Sequence, residues 1–154
     1  MKDLQGTASA VVSVPVDGCF ALVEAVEAYP SWYGEVVREV MVVEREVGGE
    51  AKKVKAKLRV ARGPMTRDLD LVLEIERAPP GEIRLTRLPN EPTDEERFAV
   101  VWKVRERGDG TSIELELNAR LSVPRLVPLG GLGDSLADGF VAAAVRGIEA
   151  GRSR

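Results

Sequence analysis

Two arginines, Arg67 and Arg87, and one tyrosine, Tyr33, are the side chains here whose types and positions could do chemistry on a bound molecule. Each arginine falls in phase with apolar neighbours along a strand-like run: Arg67 with Leu69 and Leu71, Arg87 with Leu85 and Ile83. A guanidinium turned inward by that alternation would hold a carboxylate or an enolate, or stabilise negative charge as it develops. The competing expectation is that both stand near strand ends and reach back to water along their aliphatic stems. Tyr33 would act as a proton donor or acceptor. With Trp32 it would otherwise line a cavity mouth or plug the end of a sheet. The sequence has no histidine and a single cysteine, Cys19. That removes Ser-His-Asp and Cys-His nucleophilic sites, and metal sites built on imidazole or several thiolates. No metal and no cofactor is expected, and Cys19 reads as a small core residue.

Composition bounds the rest. A chain of 154 residues fits one domain over residues 1–154, able to bury roughly 70% of the surface its unfolded form exposes. Apolar residues make up 44% and charged residues 31% with a net charge of −3, a globular balance that argues against broad capture of nucleic acid. The one basic run, Lys52 to Arg59, has no interleaved aromatics, and Asp68, Asp70 and Glu74 of the next run neutralise it. Met1 to Thr7 lacks the apolar core of a signal peptide, and no segment approaches the roughly 18 apolar residues of a membrane span. A lone cysteine makes no internal disulfide, so a reducing cytoplasm is the expected compartment.

The elements that would position these side chains follow from periodicity. Thr7–Val14 reads as a strand stopped by Pro15, with Asp17 capping a short helix and Ala28–Tyr33 forming another. Strands follow over Val36–Val47, Lys52–Ala61, Arg67–Glu76, a short run with Ile83 and Leu85, Arg97–Arg105 and Ser112–Leu121. A turn at Gly63-Pro64 sets Arg59 opposite Asp68, Lys57 opposite Asp70 and Lys53 opposite Glu74. A turn at Asp109-Gly110 sets Lys103 opposite Glu116, Arg105 opposite Glu114, and Trp102 opposite Leu117. After Pro124–Pro128 and a bend at Gly130–Gly133, an amphipathic helix runs from Asp134 or Ser135 to Ala150. The plan is α+β: roughly seven antiparallel strands curved around a long terminal helix, with two short helices after the first strand. Its inward set comprises Leu58, Val60, Leu69, Leu71 and Leu85, then Val100, Trp102 and Leu117, facing Phe140 and Ala144 of the helix.

Val14-Pro15-Val16-Asp17 running into Cys19-Phe20-Ala21-Leu22-Val23, and then Glu27-Ala28-Tyr29-Pro30-Ser31-Trp32, resembles the opening of the SRPBCC superfamily. That superfamily holds START lipid-transfer domains, birch-pollen-allergen-like proteins, and the polyketide cyclase/dehydrase and coenzyme Q-binding groups. Trp102 in the penultimate strand and the terminal helix fit as well, so the likeness spans essentially the whole chain. It implies a helix-grip fold with a cavity between sheet and last helix, roofed by the second short helix, where the inward set with Trp32 and Tyr33 would contact a hydrophobic small molecule. It also implies one of three roles. The first is binding or carriage of a lipid-, quinone- or polyketide-like molecule. The second is cyclase/dehydratase chemistry, with Arg67 or Arg87 polarising the substrate and Tyr33 moving a proton, and the third a protein-interaction or ribosome-associated regulatory module.

Overall fold

Side-chain alternation builds one antiparallel sheet, and the computed structural model describes it through residues 2–62, 64–78, 80–122 and 131–152. Strand β1 (Lys2–Val12) leads through Pro15 into helix α1 (Val16–Glu24), a single 3₁₀ turn (Val26–Ala28) and α2 (Tyr29–Tyr33). Six strands follow: β2 (Val37–Arg45), β3 (Ala51–Arg62), β4 (Met65–Ala78), β5 (Glu82–Arg87), β6 (Arg97–Arg107) and β7 (Gly110–Leu121). The long helix α3 (Leu132–Arg152) closes the order. Among the described residues the sheet has seven strands in the order β1-β7-β6-β5-β4-β3-β2, every pair antiparallel. This curved sheet with its terminal helix is the helix-grip fold.

The β3–β4 register places Arg59 against Asp68, Lys57 against Asp70 and Lys53 against Glu74, as charge pairing requires. Arg59 Nε donates to Asp68 Oδ1 at 2.9 Å. The β6–β7 register differs from expectation by two residues. Lys103 faces Glu114, Arg105 faces Ser112 and Trp102 faces Leu115, because the closing pair is Arg107–Gly110. The loop residues are thus Gly108 and Asp109. Gly108 takes φ 59°, the left-handed value a two-residue hairpin needs and a glycine supplies without strain. A slip of two preserves both faces. Lys103 still reaches Glu116, diagonally, with Nζ 3.2 Å from Oε1. Asp17 does not cap α1 either: the N-cap is Pro15, with no side-chain bond, and Asp17 lies in the first turn. The Val14 carbonyl ahead of it accepts from the buried Thr111, whose Oγ1 donates at 2.5 Å. Gly63 of the expected β3–β4 turn and the Pro124–Pro128 stretch with Gly130 lie outside the described residues.

Apolar residues of the inner face, including Ile83, Trp102, Ile113, Leu115 and Leu117, are sealed from solvent. Helix α3 joins them through Ala137, Phe140, Val141 and Ala144. Its N-terminus is fixed on β1 by direct backbone contact: a Cβ on Gly6 would lie 2.1 Å from the Gly133 carbonyl oxygen. The Thr7 amide donates to Asp134 Oδ1 at 3.3 Å.

Candidate functional site

Between sheet and α3 lies a narrow gap whose walls are apolar throughout. The sheet contributes Val37, Val40, Ala56, Leu58, Leu73, Leu85, Phe98 and Val100, while Val26, Tyr29 and Phe140 close it from the helices. Its volume is about 20 Å³, room for about one water against the roughly 300–1,000 Å³ of a ligand pocket. Its walls offer a water no hydrogen-bond partner. Of the side chains expected to face a ligand, Leu58, Leu85, Val100 and Phe140 line this gap. Leu69, Leu71, Trp102, Leu117 and Ala144 are buried in the same core without lining it. Leu73 and Ala56 share strand phase with Leu71 and Leu58, and Phe98 shares phase with Val100, so alternation could have supplied all three. Val26, Tyr29, Val37 and Val40 come from the roof and from the irregular strand beneath it, which carry no such pattern.

The roof is aromatic. Trp32 and Tyr33 of α2 belong to a run of ring contacts: Tyr29 to Trp32 at 4.8 Å, Trp32 to Trp102 at 6.4 Å, Trp102 to Phe140 at 6.3 Å and Phe140 to Tyr33 at 4.7 Å. Tilted and edge-on geometries prevail among these four, as ring quadrupoles favour. Two glycines of α3 let the roof sit this close. A Cβ on Gly139 would lie 2.3 Å from the Tyr33 hydroxyl, and one on Gly147 3.2 Å from Trp32 Cβ. The Tyr29 hydroxyl donates to the Val23 carbonyl at 2.5 Å. Burial pushes its pKa far above the ordinary range, with the Trp102 indole and Arg77 acting the other way. The approach of Trp102 to Tyr29 falls short of hydrogen-bond geometry, so Trp102 Nε1, like Trp32 Nε1, is buried without a partner among the described residues. Burial raises the Tyr33 pKa too, reinforced by Glu35 and opposed by Arg146.

The two arginines are committed to the protein itself. Arg87 is in the inward phase, its side chain 6% exposed, and its guanidinium binds Asp94 Oδ2 at 2.6 Å and the Glu96 carbonyl at 2.7 Å. Asp94 also accepts from the amides of Asn90 and Glu96, each at 3.0 Å. The Arg87 bond and these amides hold its carboxyl down at about 2. Arg67, its side chain 39% exposed, donates to the Ser122 carbonyl and lies 3.5 Å from Glu96 Oε2. Both therefore clamp the segment 88–96, a strap between β5 and β6 whose first amide, that of Leu88, bonds the Val72 carbonyl at 2.8 Å. Among the described residues no hydrogen bond or ion pair joins Tyr33 to either arginine. Arg77, which the alternation of β4 also turns inward, ties Glu24 (3.0 Å) and the Ala51 carbonyl (2.7 Å) at the other end of the sheet. Among the described residues no group of Cys, Asp and Glu converges as metal ligands would.

Roomier hollows lie outside the grip. One of about 380 Å³ sits against Met41, Lys55, Lys57 and Asp70 on the sheet's outer face. Another, of about 530 Å³, lies between α1 and the end of α3. Both are open to solvent, so neither shields an apolar molecule as the grip would.

Residues 12–145 match the model of the family described as polyketide cyclase / dehydrase and lipid transport. No curated protein matches the sequence. Among solved structures, a START superfamily protein from Mycobacterium smegmatis is similar over 97% of this chain and 96% of its own, at 14% identity and a TM-score of 0.69. A protein from Thermus thermophilus is similar over 96% and 98%, at 19% identity and 0.69. The Zhui aromatase/cyclase from Streptomyces sp. R1128 is similar over 99% and 97%, at 14% identity and 0.63. At these identities the structures speak for the fold alone. The family match spans most of the sequence, and the chain belongs to the polyketide cyclase / dehydrase and lipid transport family.

Proposed function

We propose that this protein binds a slender hydrophobic small molecule, lipid-, quinone- or polyketide-like, between the sheet and α3, and carries it without converting it. The observation behind this reading is the lining of the gap. Apolar side chains from strands β2 to β6, the roof and α3 converge on one space, and the cationic groups best suited to polarise a substrate are held by Asp94, Glu96 and Ser122. Family membership and fold support the same class of ligand. The gap is too small for a ligand as it stands, so loading requires the roof, which contributes Val26 and Tyr29, to move away from the sheet. Each 100 Å² of apolar ligand surface removed from water offers about 2.5 kcal/mol toward that opening. Side chains then re-form the wall around the ligand, which favours long, thin molecules over rigid discs.

Native mass spectrometry against a panel of fatty acids, isoprenoid quinones and polyketide-like aromatics tests this. Saturable one-to-one complexes are expected with at least one class. Phe140→Ala should cost about 3–5 kcal/mol of stability and admit bulkier members of the panel. Failure of both proteins to bind any member would overturn the proposal.

A further inference from the structure

The two edges of the sheet are guarded very differently. Strand β2 is interrupted by three register irregularities and carries Arg38, Glu39, Glu44 and Arg45, the usual protections of an edge. Strand β1 runs in unbroken register with β7, and from Leu4 to Val12 it contains no charged residue. The Thr7 amide points away from β7, because it donates to Asp134. Antiparallel pairing alternates the direction of backbone groups, so Ser9 and Val11 also turn their amides and carbonyls to the free edge. Val11 is 56% exposed. Beside Ser9 a groove of about 410 Å³ opens between β1 and α3, floored by Ala8 and Ala10 and walled by Val141, Ala142 and Val145. Asp138 and Arg146 stand at its two ends, each four residues from Ala142.

We infer that this edge is the interface of a two-fold symmetric dimer, with β1 of a second copy as its occupant. Charge selects the second copy. An axis through Ala10, near the level of Ala142, reverses the direction of α3, so Asp138 faces the partner's Arg146 and Arg146 faces the partner's Asp138. Among the described residues neither side chain has an ion-pair partner within its own chain. In that register Ser9 and the partner's Val11 exchange both their N–H···O bonds, Val11 and the partner's Ser9 do the same, and Ala10 meets its symmetry mate. Thr7 keeps its bond to Asp134. The small side chains of Ala8, Ala10 and Ala142 allow the close approach.

Sedimentation equilibrium of the full chain tests this as a function of concentration. A reversible dimer of twice the 16.7 kDa chain mass is expected, weaker at high salt. Asp138→Arg or Arg146→Asp alone should each raise the dimer Kd by about tenfold or more by opposing like charges, with circular dichroism unchanged. The double swap D138R/R146D should restore dimerisation, and Ser9→Pro should weaken it. A monomer at every concentration would overturn the inference. So would a dimer indifferent to the single swaps, or a double swap that fails to restore it. A monomer whose Ser9 and Val11 amides gain protection only when an extended peptide is added would equally reject the second copy as occupant.

Discussion

Buried guanidinium groups persist only where their charge is met, and Arg87 meets Asp94 and the Glu96 carbonyl. Asp94 depends on the same contact. Its carboxyl is held at about 2 rather than 3.8 by Arg87 first and then by the Asn90 and Glu96 amides. A folded-state pKa below the unfolded one contributes stability that is complete above 3.8 and lost as the pH falls through about 2. In an NMR titration the Asp94 carboxyl carbon should therefore turn over near pH 2, with the Asn90 and Glu96 amides losing exchange protection in the same interval. Arg87→Gln should move that midpoint up toward 3.8. A wild-type midpoint already at 3.8 would show that the clamp does not form. The sequence disclosed half of this arrangement. Alternation with Ile83 and Leu85 turns Arg87 inward, but Asp94 sits in a loop with no period, so nothing in its position marks it as the partner. An inward arginine with no visible carboxylate reads as a ligand anchor until the strap is seen.

The strands were the most legible elements, because period-two alternation and cross-strand charge both act locally. In β3 and β4 they agree down to the register. In β6 and β7 they give the faces correctly but shift the pairing by two residues, since Asp109-Gly110 and Gly108-Asp109 both satisfy hairpin chemistry and only the φ of 59° at Gly108 decides between them. The seating of α2 on α3 was not legible. It depends on Tyr33 meeting a missing side chain at Gly139, far along the chain. Gly139→Ala would gain up to about 1 kcal/mol in helix propensity but force a contact costing about 1–3 kcal/mol. A net loss of about 1 kcal/mol is expected in chemical denaturation. Adding Tyr33→Phe removes the oxygen that clashes, so the double variant should recover that loss. An additive double variant would mean that the roof does not rest on this glycine.

At the scale of the molecule, the sequence points to the grip but not to its aperture. Pattern identifies which side chains face inward, whereas free volume is what remains after all of them pack, a small difference between large quantities. Ala137 and Ala144 of α3 suggest room, yet the aromatic run from Tyr29 to Phe140 fills most of it and leaves about 20 Å³. Under the proposed role, binding is an opening of the apolar walls that line this gap. The most direct measurement is a set of intermolecular NOEs between a bound lipophile and the protein's methyl and aromatic protons. Contacts with Leu58, Leu85, Val100 and Phe140, alongside shifted resonances for Trp32 and Tyr33, are the predicted result. A ligand whose contacts fall on Met41, Lys55 and Val72 of the outer face, with the grip unperturbed, would contradict the account.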